Sequence, residues 1–169
     1  MNLPSKRTIF IAAGIILSAS FTRQLMDFTE ALIGKSGFAL VIGLVALSGI
    51  LIFLSLIGIN HLSGIRFVSV FLLLIAGPLL SWFYITLPQV RMHILLYGFL
   101  GWSACVDFLG KKRTALRIIC AILLCVLVGY LEELFQLILP YRYYDNWDVV
   151  LNSLGSLWGI ALYLLGKKK

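Results

Sequence analysis

Two apolar runs, residues 37–59 and 65–87, most strongly limit what this chain can fold into. Each reaches the roughly 20 residues that a helix needs to cross the hydrocarbon core of a bilayer. Hydrophobic residues make up 61% of the 169 residues, which leaves too few polar side chains to cover a soluble domain of this size. The sequence therefore predicts an all-α membrane protein.

Further apolar segments bring the predicted bundle to about six transmembrane helices. A short first span is expected from Thr8 to about Phe21, continuing as a polar, amphipathic segment that includes Arg23, Asp27 and Glu30. Pro78 is expected to kink the third span, because its ring removes a backbone hydrogen bond. The last three spans are predicted over residues 90–109, 114–139 and 147–165.

Loop charge predicts the orientation of these spans, because cytoplasmic loops collect Lys and Arg. Ten of the 14 basic residues fall at one end of the alternating spans: Lys6, Arg7, Arg66, Lys111, Lys112, Arg113, Arg117, Lys167, Lys168 and Lys169. The other end holds Arg23, Lys35, Arg91 and Arg142. We therefore expect a multi-pass protein of the cell membrane, in contact with membrane lipids and with both termini in the cytoplasm. Short basic clusters between apolar runs are typical of membrane loops, so no nucleic acid is expected as a partner.

The three cysteines give no sign of a metal site. Cys105, Cys120 and Cys125 lie in or near apolar segments, with no CxxC spacing and no histidine at a ligand spacing. We read them as small buried hydrophobic residues and expect no metal, no cofactor and no structural disulfide.

Polar side chains concentrate where the last two spans meet. Glu133 and Gln136 share a face near the end of the fifth span, and Asp148 and Asn152 share a face at the start of the sixth. Polar groups inside a membrane are costly and are usually functional. A buried carboxylate needs a partner, and Arg142 in the intervening loop is the expected partner of Glu133. A purely structural network that joins the helices is the alternative reading of these residues.

The fourth span carries a second polar stripe. His93, Tyr97 and Gly101 follow one another at four-residue steps and so lie on one helix face. His93 can donate or accept a proton near neutral pH. Gly155 and Gly159 on the sixth span have a small-residue spacing that lets another helix approach closely.

These residues resemble the signature of the VanZ-like family. The resemblance covers about residues 89–165, and it divides the chain into N-terminal spans (1–88) and a VanZ-like core (89–169). The family pattern has a basic residue at the position of Val90, and in this chain the basic residue, Arg91, comes one position later. In the fifth span the pattern favours Glu133 over the adjacent Glu132 as the site residue. The ligand-binding residues that follow from the spacing and the resemblance are His93, Tyr97, Glu133, Gln136, Arg142, Asp145, Asp148 and Asn152.

The resemblance implies a bacterial envelope protein, some of whose relatives give resistance to the glycopeptide antibiotic teicoplanin. From the residues we expect an outward-facing cavity that binds an anionic or amphiphilic ligand, such as a lipid-linked cell-wall precursor or a lipoglycopeptide. Arg142 would hold its anionic group. A membrane-embedded enzyme that uses His93 and Glu133 as acid and base stays open, although no serine nucleophile motif or metal-ligand pair favours it. A structural or partner-binding subunit is the third reading, and nothing in the sequence fixes the oligomeric state.

Overall fold

The computed structural model describes residues 3–58, 62, 64–84, 88–109 and 114–167, and no strand occurs among them. The predicted all-α fold is confirmed. The expected ends of the second and third spans, at Ile59 and Leu87, lie outside the described residues, as do the basic residues of 111–113 and 168–169. The six helices of the described chain are α1 (Lys6–Ser18), α2 (Thr22–Ile57), α3 (Gly64–Tyr84), α4 (Pro88–Leu109), α5 (Ala115–Ile138) and α6 (Asn146–Gly166).

Five of these helices, α2 to α6, are long and apolar enough to cross a membrane. Helix α1 has 13 residues, which corresponds to about 20 Å of helix. That length is short of the hydrocarbon core of about 30 Å. Multiple membrane-spanning helices therefore support a multi-pass protein, while the side on which each terminus lies stays a prediction.

A turn over residues 19–21 separates α1 from α2. The expectation that the first helix continues through the polar segment is therefore wrong, because that segment forms the beginning of α2. Hydroxyl groups stabilise the end of α1. Ser18 Oγ donates to the Ile15 carbonyl at 2.8 Å and Ser20 Oγ donates to the Leu17 carbonyl at 2.7 Å. Both bonds supply donors to carbonyls at a helix end, where the intrahelical partners run out.

The polar segment meets the second predicted span at a kink. Gly34 has φ 72° and ψ 170° and interrupts the helical backbone of α2. This conformation is easily reached by glycine and costly for residues with a Cβ atom. The amphipathic beginning of α2 can therefore take a different direction from its long apolar part.

Helix α4 lies at the centre of the bundle. In its apolar segment 67% of the residues are buried, against 22% in α2 and in α3. Helix α3 continues through Pro78, and a kink at that residue stays a prediction. The central position of α4 places both His93 and Tyr97 within reach of other helices.

Close packing of α4 against α6 confirms the prediction made from Gly155 and Gly159. A Cβ atom on Gly155 would lie 2.9 Å from Ile94 Cα, and one on Gly159 would overlap the carbonyl oxygen of Gly98. The two helices run parallel, since residues 94 and 98 match residues 155 and 159 in order. Their N-terminal ends therefore lie together at one end of the bundle.

A polar cluster at the opposite end attaches α1 to α4. Thr8 Oγ1 donates to Asp107 Oδ2 at 2.5 Å, and the Ser5 backbone N–H donates to the same oxygen at 2.8 Å. Arg7 completes the cluster with an ion pair to Asp107 at 3.5 Å. These contacts fix the N-terminal end of α1, so its C-terminal end is held against the other end of the bundle.

Candidate functional site

A cavity of about 290 Å³ lies at the end of the bundle where α1 and α5 end and α4 and α6 begin. The loop between α5 and α6 and the turn between α1 and α2 complete its wall. Five of the eight predicted site residues line it: His93, Gln136, Arg142, Asp145 and Asp148. The other three, Tyr97, Glu133 and Asn152, are fully buried and do not line the cavity.

Glu132 joins the three core helices behind the cavity. Its Oε2 accepts hydrogen bonds from Tyr97 Oη of α4 at 2.6 Å and from Asn152 Nδ2 of α6 at 3.1 Å. Gln136 Nε2, one turn along α5, lies 3.5 Å from Glu132 Oε1. Such a carboxylate is well supplied with donors, as a buried acceptor must be. Glu132 also lines the cavity, so the network forms its inner wall.

Glu133 points to a different part of the molecule. Its Oε1 accepts from Gln136 Nε2 at 2.9 Å, and its Oε2 accepts from the backbone N–H of Asp145 at 3.1 Å. Glu133 therefore fastens the α5–α6 loop to α5. The sequence left Glu132 and Glu133 as alternatives and favoured Glu133, whereas the structure places Glu132 at the cavity and Glu133 beneath the loop.

Arg142 does not form the expected ion pair with Glu133. Its Nε donates instead to the Ala19 carbonyl at 3.2 Å, and the neighbouring Tyr141 Oη donates to the Ser20 carbonyl at 2.7 Å. Both carboxylate oxygens of Glu133 already accept hydrogen bonds from other donors. The backbone carbonyls after the end of α1 have no partner within the helix, and Arg142 and Tyr141 supply their donors. No ion pair connects Arg142 to a carboxylate of the described chain. Its terminal nitrogens therefore remain available at the cavity.

Arg23 is a second cation at the cavity, and the sequence reading did not select it. It lies in the first turn of α2, is exposed, and lines the cavity together with Thr22. Its guanidinium group makes no hydrogen bond or ion pair with another described residue. Arg23 reaches the cavity because the turn after α1 brings the start of α2 beside α4 and the α5–α6 loop. The hydropathy of the sequence does not indicate that these segments lie together.

His93 and two acidic residues complete the polar lining. His93 is half-buried, and its Nδ1 is buried without a hydrogen-bond partner among the described residues. Asp148 lies close enough to His93 and Arg142 for both to act on its carboxyl group electrostatically. Asp145 caps α6 by accepting from the Trp147 backbone N–H at 2.8 Å. The cavity therefore offers cationic donors and at least one carboxylate that is not used in the fold.

Three charged residues from the same half of the bundle, Asp27, Glu30 and Arg91, do not line this cavity. The Arg91 guanidinium stacks on the Trp82 ring at 4.5 Å and borders a separate depression. Asp27 and Glu30 line a further depression beside Gly34 and Lys35. In the described part of the chain, no group of three or more His, Cys, Asp or Glu side chains is arranged to hold a metal ion.

Comparison with known proteins identifies a family for this chain. The VanZ/LLP1 family model matches residues 6–167, which extends well beyond the resemblance over residues 89–165 and includes α1, α2 and α3. Searches of curated proteins and of solved structures return no match. Because the family match covers almost the whole chain, this membrane protein belongs to the VanZ/LLP1 family.

Proposed function

We propose that this protein binds an anionic or amphiphilic molecule of the bacterial envelope in the cavity described above. A lipid-linked cell-wall precursor and a lipoglycopeptide antibiotic both have this chemistry. The observation that carries the proposal is the pair of guanidinium groups, Arg23 and Arg142, which line the cavity without an ion pair to a described carboxylate. Guanidinium groups bind phosphate and carboxylate through paired hydrogen bonds.

The remaining polar residues divide into two roles in this proposal. Tyr97 and Asn152 both donate to Glu132, and these bonds hold the shape of the wall. Asp148 and His93 line the cavity without such a network, and the Asp148 carboxylate would accept hydrogen bonds from hydroxyl or amine groups of the ligand. A molecule that carries both an anionic group and such donors would match this lining.

The predicted orientation supports an envelope ligand. The cavity lies at the end of the bundle that holds Arg23 and Arg142, which loop charge assigns to the outer face. Cell-wall precursors and lipoglycopeptides occur at that face. Binding of a lipoglycopeptide there would give this protein a role in teicoplanin resistance.

Native mass spectrometry of the detergent-extracted protein tests the proposal. We expect an anionic lipid or glycolipid to be retained by the unaltered protein and by Lys6→Gln, which removes an exposed charge at the opposite end. The double variant Arg23→Gln, Arg142→Gln should retain at least tenfold less. Glutamine at 142 keeps a donor for the Ala19 carbonyl, so loss of folding is avoided. Equal retention by all three proteins would refute the proposal.

Teicoplanin resistance needs a separate measurement. Expression of the protein should raise the inhibitory concentration of teicoplanin, and the double arginine variant should remove that increase while reaching the membrane in equal amount. If expression of the unaltered protein leaves the inhibitory concentration unchanged, resistance is excluded and the binding experiment alone decides the wider proposal.

Catalysis on a lipid-linked substrate is a second candidate, favoured by one observation. The buried Nδ1 of His93 has no hydrogen-bond partner in the described part of the chain, and Asp148 lies near the same ring. An acid or base in this position must exchange a proton, and glutamine cannot do so. His93→Gln should then abolish any mass change that the purified protein causes in lipids of its host, while lipid retention stays as before. If the unaltered protein causes no mass change, the binding function stands alone.

A further inference from the structure

An apolar groove adjoins the polar cavity. It has a volume of about 500 Å³, is open to the surroundings, and lies between α1, α2 and α4. Ser18 and Leu96 line both the groove and the cavity, so the two spaces adjoin at these residues. No charged side chain lines the groove, in contrast to the two arginines of the cavity.

The groove runs from the cavity towards the middle of the helix bundle. On α1 it extends from Ser18, beside the cavity, back to Phe10, a distance of about 12 Å along the helix axis. One leaflet of the hydrocarbon core is about 15 Å thick, half of the whole core. The groove therefore has the direction and length of a hydrocarbon chain whose polar end lies at the cavity.

Ser18 lies where the groove meets the cavity, and both its hydroxyl group and its backbone carbonyl are hydrogen-bonded within the chain. Its hydroxyl donates to the Ile15 carbonyl at 2.8 Å, and its own carbonyl accepts from Thr22 Oγ1 at 2.5 Å. Because both polar groups are already bonded within the chain, a hydrocarbon chain can pass Ser18 without the cost of burying a free donor or acceptor.

A glycine leaves the groove open at its middle. A Cβ atom on Gly14 would have no heavy atom within 4 Å, although Ile11 and Ile15 on the same helix line the groove. Glycine inside a helix weakens it relative to alanine. The open space beside Gly14 is the structural result of having glycine at this position.

We propose that the groove holds the hydrocarbon chain of the same molecule whose anionic group enters the cavity. The ligand is then an anionic lipid that reaches the site sideways from the surrounding membrane, and a water-soluble anion would bind only weakly. This inference rests on the proposed function and adds the class of ligand and its direction of entry. Ser18 and Leu96 mark the point where the headgroup ends and the chain begins.

The test compares two phosphate probes that differ only in chain length, dodecyl phosphate and ethyl phosphate. Binding is measured to the full-length protein in phosphatidylcholine nanodiscs, with empty nanodiscs subtracted. Gly14→Phe fills the groove, and Gly43→Phe is the matched control, because a Cβ atom on Gly43 of α2 also has nothing within 4 Å and Gly43 does not line the groove.

For the unaltered protein and for Gly43→Phe, dodecyl phosphate should bind at least tenfold more tightly than ethyl phosphate. In Gly14→Phe that advantage should disappear, while ethyl phosphate binds as before. Equal affinities for the two probes in the unaltered protein, or an undiminished advantage in Gly14→Phe, would overturn the groove assignment and leave the cavity proposal intact. Dodecyl phosphate binding that is equal in the double arginine variant and the unaltered protein would overturn the cavity proposal itself.

Discussion

Glu132 connects three helices through one carboxylate. Tyr97 from α4 and Asn152 from α6 donate to the same oxygen, so the relative positions of these helices depend on two hydrogen bonds inside the membrane-spanning part. The amide oxygen of Asn152 is buried and has no partner among the described residues. Such an acceptor is costly, which indicates that the Asn152 side chain is held in place by its bond to Glu132.

Removal of the Tyr97 hydroxyl tests this network. Tyr97→Phe leaves the ring in place and takes one of two donors from Glu132 Oε2, so we expect a loss of stability of about 1–3 kcal/mol. Thermal unfolding in detergent measures the loss as a lower midpoint. Tyr130→Phe is the matched control, because Tyr130 is on α5, is 46% exposed and has a hydroxyl group with no hydrogen bond to a described residue. Equal midpoints for the two variants would contradict a stabilising role for the network.

The choice between Glu132 and Glu133 shows what residue spacing can predict. Adjacent residues on a helix point about 100° apart, so a helix that contacts its neighbours along one narrow stripe would bury only one of them. Here α5 is covered by α4 and α6 on one side and by the α5–α6 loop on another, and both carboxylates are buried. Gln136 lies within 3.5 Å of both, which is why its spacing could not separate them.

The helices themselves were largely predictable. Spans four to six begin and end within about two residues of the predicted positions, and span three begins within about one, because a backbone in lipid must satisfy its hydrogen bonds within the helix. The break after α1 was not predictable from hydropathy. It depends on donors from Tyr141 and Arg142, which are more than a hundred residues away in sequence.

The contact between α4 and α6 yields a prediction at the scale of these two helices. A Cβ atom on Gly159 would overlap the Gly98 backbone, which cannot move aside as a flexible side chain can. Gly159→Ala should therefore destabilise the protein by about 1–3 kcal/mol or more. Gly43→Ala should be neutral or slightly stabilising, since alanine favours a helix and space is available.

Thermal unfolding of these two glycine variants in the same detergent gives the measurement. A Gly159→Ala protein as stable as Gly43→Ala would mean that α4 and α6 are farther apart than described. Because both helices carry residues of the cavity wall, loss of their contact should also reduce lipid retention in Gly159→Ala. Gly43→Ala should retain lipid like the unaltered protein.

Across the whole molecule, the described basic residues separate by end. At the end opposite the cavity, Arg66 donates to the Leu165 carbonyl at 2.9 Å and Arg117 donates to the Phe108 carbonyl at 3.3 Å. These bonds place cations at the C-terminal ends of α6 and α4, where the helix dipole favours positive charge. Arg66 and Arg117 also belong to the set of basic residues that loop charge assigns to the cytoplasm. The same two side chains therefore stabilise helix ends and favour the predicted membrane orientation.

Membrane orientation decides whether the cavity can receive an envelope lipid from the outer leaflet. Leu3 and Tyr143 mark the two ends of the bundle and are 88% and 82% exposed. In a background with Cys105, Cys120 and Cys125 replaced by alanine, Tyr143→Cys should react with a membrane-impermeant maleimide in intact cells. Leu3→Cys should react only after permeabilisation, because ten of the 14 basic residues favour a cytoplasmic N-terminal end. The reverse pattern would place the cavity inside the cell, where its two arginines would face a cytoplasmic-leaflet lipid and a role against an external antibiotic would be excluded.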